Sequence, residues 1–501
     1  MSNHPESSLG HEERPLLSRR PGLGEHGYDD TQAEPNYPNG LEPDQEFGGT
    51  EARAQLERSL VRKLDRRMSI LILIYILNYI DRNNAAAARL RGFEEDLHLE
   101  GNQFASILSI LYIGYIFMQI PSNMLLVYIG KPSVYVPSCM AIWGMISVLT
   151  GLTTNFFGAL CTRFFLGFVE AAFFPGALFL IAKWYKRSEL SQRTAFLYCG
   201  SLISNAFGSL LASGILDLMD GVFGYAAWRW LFFIEGSLTV FVAICSIFIL
   251  PDFPESKSKW LTPAERALAV QRMMEDAGPE LDSTDTADAD PLEISKHAHD
   301  ISQEGLRLVL TDWKVWWLAV ALGIMTITVS FNAFFPTLSA TMGYSGTISL
   351  LLCAPPWIFS TVVTVVVSRH SDRVGERYWH IVCPLLVGVL GFFLAMSTMN
   401  VAVRYLSLFL MAQAYAGYVC LLAWASGTIS RPSSKRAVAL AFINCGSTIG
   451  NIAGSYVWPA SWGPTYSHSY ALSFSITEPG GGEKGKRTEV STIMETTSAQ
   501  W

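Results

Sequence analysis

The chain has 501 residues, 50% of them hydrophobic and only 16% charged, with a mean hydropathy of +0.27. That composition excludes a soluble multidomain protein and points to a chain built largely for a bilayer. The net charge of −7 misleads as an average, because the acids gather in the N-terminal tail and in the loop after Leu250; no nucleic-acid partner is expected.

Residues 1–60 are rich in Pro, Gly, Glu and Asn, lack periodicity, and bury too little apolar surface to fold alone, so they are expected to be a disordered cytosolic tail. Within it EERPLL, Glu12 to Leu17, resembles an acidic dileucine sorting signal, a pattern short enough to arise by chance. Windows of about 19 residues then place apolar spans near 67–90, 104–128, 133–152, 157–183, 193–216, 228–250, 313–340, 347–368, 379–398, 402–429 and 436–459. Eleven spans result, and with no signal peptide ahead of it the first is expected to act as an uncleaved targeting segment.

The first span carries NYIDRNN, with Asp81 and Arg82 side by side. Neighbouring helical residues point about 100° apart, so either one faces a cavity while the other braces a neighbouring helix, or the pair marks the end of a shorter span. The second span offers Tyr112, Tyr115 and Gln119 as its cavity-lining candidates, and its Pro121 is tolerable where neighbouring helices satisfy the freed carbonyl. In the fourth span RFFLGFVEAAFFPG sets Arg163 and Glu170 in an otherwise apolar run. Each charge at a bilayer centre costs about 2.5–3.5 kcal/mol on insertion scales, which makes the pair a candidate functional site. Seven residues put them on one face about 10 Å apart along the axis, so each must look to another helix, a substrate or water.

The fifth span repeats Gly200, Ser204, Gly208 and Ala212 every four residues, and the eleventh repeats Gly446, Gly450 and Gly454; such stripes let helices pack closely. Between the halves, residues 251–312 read as a cytosolic linker in which Thr262-Pro263-Ala264-Glu265 is a capping box opening a short amphipathic helix to about Ala277. His297 and His299 in that loop are too solvated and isolated to read as metal ligands. Prolines at FFPTL and APP fall in the seventh and eighth spans, and Asn444 in the eleventh serves either a helix-to-helix hydrogen bond or a substrate contact. All eight cysteines lie inside spans without ligand spacing and read as buried structural thiols, so neither disulfides, metal nor cofactor is expected.

Lys and Arg cluster before the first span (Arg58, Arg62, Lys63, Arg66, Arg67), between the fourth and fifth, and after the eighth and tenth. These loops fall on one side, so the positive-inside rule puts the N-terminus in the cytosol. Arg89, Arg91, Arg229 and Arg404 are exceptions close to span ends. The division expected is a six-helix bundle over 61–250, a second bundle over 313–470, and an atypical disordered tail over 471–501 in which ALSFSI is too short to span a core about 30 Å thick.

Together RFFLGFVEAAFFPG, YIDR, GYIFMQIPSN, WRWLFFIEG, FFPTL with APP, and SDRVGER resemble the major facilitator superfamily, and within it the fungal allantoate and nicotinate permease-like branch of the anion:cation symporters. The likeness runs from Leu64 to about Tyr470, although VYIGKP after the second span lacks the family's acid and arginine and the tenth span ends in WASGT where relatives carry an Asn pair. The resemblance implies an all-α membrane protein, two bundles of six helices with a truncated last helix, and not an enzyme. It implies that Asp81 and Glu170 are proton-linked carboxylates, that Arg82 and Arg163 form the anion site with Tyr115, Asn444 and Tyr79 as polar contacts, and that Asp372, Arg373, Gly375 and Arg377 form a gating loop. The function implied is proton-coupled symport of a small organic anion such as nicotinate, allantoate or pantothenate, by a monomer in the plasma membrane or, as an alternative, a vacuolar or endosomal one. A non-transporting nutrient sensor and a carrier without proton coupling are the rival readings.

Overall fold

A computed structural model describes residues 47–254, 256, 260–277, 307–428 and 433–477. Among them there is helix and no strand. The membrane helices of the first half are α1 (Thr50–Ala88), α2 (Gln103–Ile129), α3 (Pro132–Thr150), α4 (Phe156–Trp184), α5 (Arg187–Leu218) and α6 (Ala227–Ile249). After the surface helix α7 (Pro263–Ala277) come α8 (Trp313–Ala340), α9 (Gly346–Val374), α10 (Tyr378–Ser397), α11 (Val401–Ala425), α12 (Ser433–Gly454) and the 11-residue α13 (Ser467–Thr477). Nine described helices are long and apolar enough to cross a bilayer; α1 and α12 fall outside that set. Asn78, Asp81, Arg82, Asn83 and Asn84 are what lower the apolarity of α1. The architecture is the expected one: among the described residues, six membrane helices lie on each side of α7, the last of them short.

The first helix begins at Thr50, well before the expected span edge and inside the stretch expected to be disordered, and the helix Ser467–Thr477 likewise runs into the expected disordered tail. The basic stretch of α1, Arg58 to Arg67, is a helical extension that leads into the membrane segment. Against this extension α7 docks through charge. The Thr262 amide and Glu265 side chain bond at 3.0 Å, and the Glu265 amide returns a 3.2 Å bond to the Thr262 hydroxyl, so the capping box starts the helix. Lys63 then reaches Glu265 at 2.7 Å, and the buried Arg272 meets Glu57 at 2.7 Å and Glu189 of α5 at 2.8 Å. Burial by itself would raise the Glu57 carboxyl, but Arg272 and Lys186 outweigh it and hold that group below its ordinary value.

Packing in the bundles depends on small residues. A Cβ added at Gly167 of α4 would collide with the Leu111 carbonyl of α2, and one at Gly446 of α12 would lie 2.6 Å from the Ala319 carbonyl of α8. Both helix pairs therefore meet backbone to backbone. The PG pair at 175–176 interrupts α4: proline has no N–H to donate, and Ala172 bonds the Val169 carbonyl at 3.2 Å in a tighter turn. Glu170 is the last residue before this break.

At the end opposite the basic loops, the halves are joined. Phe104 and Phe334 stand edge to face at 6.3 Å, Ser109 bonds Tyr456 at 3.1 Å, and Arg91 donates to Thr347 at 2.6 Å. The arginines that break the basic-side pattern are staples of this end. Arg229 donates to the Gly151 and Thr153 carbonyls at 2.9 Å each, Arg404 to Thr341 at 2.6 Å and Thr465 at 2.7 Å, and Arg89 pairs with Glu94 at 3.0 Å. One expectation is corrected. Of the eight cysteines read as buried, Cys353 and Cys420 are, Cys139, Cys161, Cys199, Cys245 and Cys445 are half-buried, and Cys383 is exposed on α10, where an apolar thiol is at no disadvantage against lipid. EERPLL, the two linker histidines and the residues after Thr477 lie outside the described residues.

Candidate functional site

The site begins with NYIDRNN on α1. Because successive side chains step about 100° around a helix, Asp81 and Arg82 leave α1 in different directions. Asp81 turns away from the cavity: Ser147 of α3 donates to one carboxyl oxygen at 3.0 Å and Thr239 of α6 to the other at 2.7 Å. Arg82 turns toward α4, where its Nε and Nη2 reach the same oxygen of Glu170 at 3.0 and 2.8 Å. The Glu170 side chain is 1% exposed and that of Arg82 14%, so the cation fronts the open space and its acid stands behind it.

Three aromatic rings close around the guanidinium: Tyr79 of α1 at 5.0 Å, and Tyr115 and Tyr112 of α2 at 5.4 and 5.7 Å. The last two reach it because Gly167 lets α2 lie directly on α4. Arg163 is engaged differently. Its Nη1 donates to the carbonyls of Asp81 and Arg82 at 3.2 and 3.3 Å and its Nη2 to the Asn84 side chain at 2.6 Å. It clamps the polar turn of α1 while one edge remains on the cavity wall.

That wall encloses about 1150 Å³ of empty space, mouth included, between the two halves. The first half supplies Tyr75, Tyr79, Arg82, Tyr112, Arg163, Tyr198, Ser201 and Asn205; the second supplies Thr326, Ser330, Asn332, Tyr415, Tyr418, Asn451 and Ser455. Among these lining residues the two arginines carry the only full charges, so the chamber is cationic on one side and neutral, aromatic and hydrogen-bonding on the other. Such a wall can accommodate an anion at one end and orient the rest of a ligand at the other.

Of the residues singled out from the sequence, Tyr79, Arg82 and Arg163 line the chamber, Tyr115 and Glu170 touch Arg82 from behind, and Asp81 is buried among α1, α3 and α6. Asn444 is half-buried and is not among the lining residues; two turns further along the same face of α12, Asn451 is. The loop after α9 is remote from the chamber. There Gly375 adopts φ 75° as the helix cap, Asp372 pairs with Arg377 at 2.7 Å, and Arg373 is exposed. Sequence reasoning missed Tyr198, Ser201 and Asn205, whose three- and four-residue spacing was the available signal. It also missed Glu235 of α6, a buried acid in an apolar run as visible as Glu170.

Residues 71–455 match the family model described as Major Facilitator Superfamily. The chain belongs to the major facilitator superfamily. Among similar members, the MFS-type transporter cnsO of Penicillium expansum is 30% identical over 84% of this chain and 80% of its own. The major facilitator-type transporter hxnP of Emericella nidulans is 29% identical over 80% and 78%. A provisionally assigned tartrate transporter of Agrobacterium vitis is 29% identical over 81% and 85%. Two solved structures show the same facilitator fold. The inward-facing, unoccupied bacterial homologue of the lysosomal transporter Spinster superposes with a TM-score of 0.62 at 17% identity, covering 87% of this chain and 96% of that one. A D-xylose–proton symporter superposes with 0.58 at 16% identity, covering 81% and 95%. The chain is thus a membrane transporter of the facilitator family rather than an enzyme.

Proposed function

We propose that this transporter carries a small organic anion, a carboxylate such as nicotinate, allantoate or pantothenate, together with protons, by alternating access of the central chamber. The observation that carries the reading is the Arg82–Glu170 pair: a guanidinium on the chamber wall whose counter-ion sits behind it and out of the chamber. A substrate carboxylate competes with Glu170 for that guanidinium, which suits the role because its planar fork binds carboxylate and it keeps its charge. If Glu170 takes a proton as the anion arrives, the site holds one positive and one negative charge before and after. A monoanion and a proton then travel without adding charge to the membrane interior, where an unpaired ion is expensive.

In this reading Asp81 is a second proton-linked acid; its hydroxyl partners Ser147 and Thr239, which donate to the carboxylate, can also accept from it when it is protonated, which supports the role. The tartrate assignment of the Agrobacterium relative supports a carboxylate class. With the basic loops in the cytosol, the joined end faces outward, and a monomer in the plasma membrane fits the two-bundle plan. The test is uptake of radiolabelled carboxylates by cells lacking their own permeases, across pH and with a protonophore. Saturable uptake that rises at acid external pH and collapses with the protonophore is expected; uptake indifferent to both sinks the coupled reading.

A further inference from the structure

A second, smaller space lies beside the main chamber toward the joined end. It holds about 460 Å³ of empty space, mouth included, and Asn83, Ala86, Asn205 and Asn332 line both spaces. Asn83 donates to Asn205 at 2.9 Å, so a pair of side-chain amides forms the partition. On the far side the walls come from α5, from α9 (Leu350, Cys353 and Trp357) and from the last turns of α8. Ser204, Ser209 and the partition amides give it enough hydrogen-bonding groups, and its volume enough room, to hold water.

Glu235 of α6 opens onto this antechamber. It is 2% exposed, its Oε2 has no hydrogen-bond partner, and no Lys, Arg or His lies within ion-pair distance of it among the described residues. The carboxyl therefore has no ion-pair partner, and one of its two oxygens has no donor, so a negative charge there is poorly stabilised. The groups facing it are the charged Asp81 of α1 and Arg163 of α4 and the Asn84 amide, which also accepts from Arg163. The α3 helix packed on α6 contains no charged residue, and α5, α8 and α9 present neutral groups to the antechamber. Arg89 and Arg91, in the turn after α1, are engaged by Glu94 and Asp217. One turn along α6 from Glu235, Thr239 donates to Asp81.

We propose that Glu235 is a proton-carrying site of its own, which exchanges a proton with water in the antechamber and stands on the outer side of the Asp81 and Glu170 cluster. The step makes and breaks only O–H bonds: the carboxylate takes a proton from hydronium reaching the antechamber, leaving water, and gives it back either to water, re-forming hydronium, or to the Asp81 carboxylate. The arrangement separates proton traffic, through the antechamber behind the amide partition, from substrate traffic through the main chamber. The inference rests on the proton-coupled reading for its purpose, but the occupancy of the site by a proton does not.

The experiment therefore starts without substrate. The full chain, purified in lipid nanodiscs, is treated with dicyclohexylcarbodiimide, which forms a stable adduct with protonated carboxyls in apolar surroundings, and peptides are read by mass spectrometry across pH. Adduct on Glu235 that diminishes as pH rises is the expected result; no adduct there at any pH overturns the proposal. In uptake assays Glu235→Gln is expected to flatten the pH profile, and Glu235→Asp to retain a pH response. A Glu235→Gln profile identical to wild type also overturns it. Carbodiimide labelling of Glu235 in a chain that moves no carboxylate would leave the proton site standing and remove the anion reading instead.

Discussion

Both nitrogens that Arg82 turns toward α4 converge on one oxygen of Glu170, at 3.0 and 2.8 Å, and leave Glu170 Oε2 buried without a partner. The pair is tight enough to hold an empty site neutral, yet only one of the carboxyl's two oxygens is committed. A proton has a place to land without first breaking the ion pair.

From this geometry Glu170→Gln is expected to abolish accumulation driven by a pH gradient while exchange of labelled for unlabelled substrate remains measurable. Removing one partner of a buried pair costs about 3–5 kcal/mol where the other charge stays dry. Here the chamber and three tyrosines soften that loss, so the variant is expected to fold with a lowered melting temperature. A Glu170→Gln transporter that still concentrates substrate against a gradient would falsify the assignment.

The two arginines are expected to respond differently to lysine. Arg82→Lys keeps the charge and loses the fork, so KM for the anion should rise by about tenfold or more, the worth of one charge-assisted hydrogen bond at about 1.5–3 kcal/mol. Arg163→Lys gives up bonds to the Asp81 and Arg82 carbonyls and to Asn84, which hold the shape of α1. Its signature is reduced thermal stability together with lost transport. If instead Arg163→Lys alters only KM in a fully stable protein, its role is direct recognition and not bracing.

Close helix contact is expected to fail at Gly167 with even one added carbon. Gly167→Ala drives a methyl into the Leu111 carbonyl, and overpacking of this kind costs about 1–3 kcal/mol. Moving α2 off α4 also carries Tyr112 and Tyr115 away from Arg82. Thermal unfolding in detergent and substrate KM should both worsen; an unchanged KM would separate the tyrosine cage from recognition.

The docking of α7 is expected to depend on pH. Glu57 is held below its ordinary value of 4.5, mainly because Arg272 and Lys186 overcome the opposing effect of burial, and Lys63 with the Thr262 cap does the same for Glu265. Folded-state values below the unfolded ones mean that these contacts stabilise above about pH 4.5, the unfolded carboxylate value, and are lost as pH falls through the lowered folded values. Protection of the peptide covering Pro263–Ala277, measured as its exchange rate relative to the intrinsic rate at each pH, should be high at neutral pH and lost in acid, and Arg272→Ala should lower it at neutral pH as well. Equal protection in the variant would show that the helix docks by its apolar face.

Much of this protein is legible in one dimension. Apolar runs of membrane length, the basic loops, the capping box at Thr262 and the charges stranded at positions 81, 82, 163 and 170 follow from the amino-acid order, because a bilayer imposes strict rules on length, charge and backbone hydrogen bonding. Partnership is another matter. That Arg82 rather than Arg163 pairs with Glu170, that Asp81 is tethered to Ser147 and Thr239 instead of facing the chamber, and that Asn451 rather than Asn444 reaches the wall depend on how helices distant in sequence rotate and approach. Those rotations are settled by close contacts such as Gly167 on Leu111 and by the break at Pro175, each a relation between helices or along a bent one. Glu235 illustrates the limit: its acid in an apolar helix is visible in the sequence, but only the folded bundle places it beside a polar space with no ion-pair partner among the described residues.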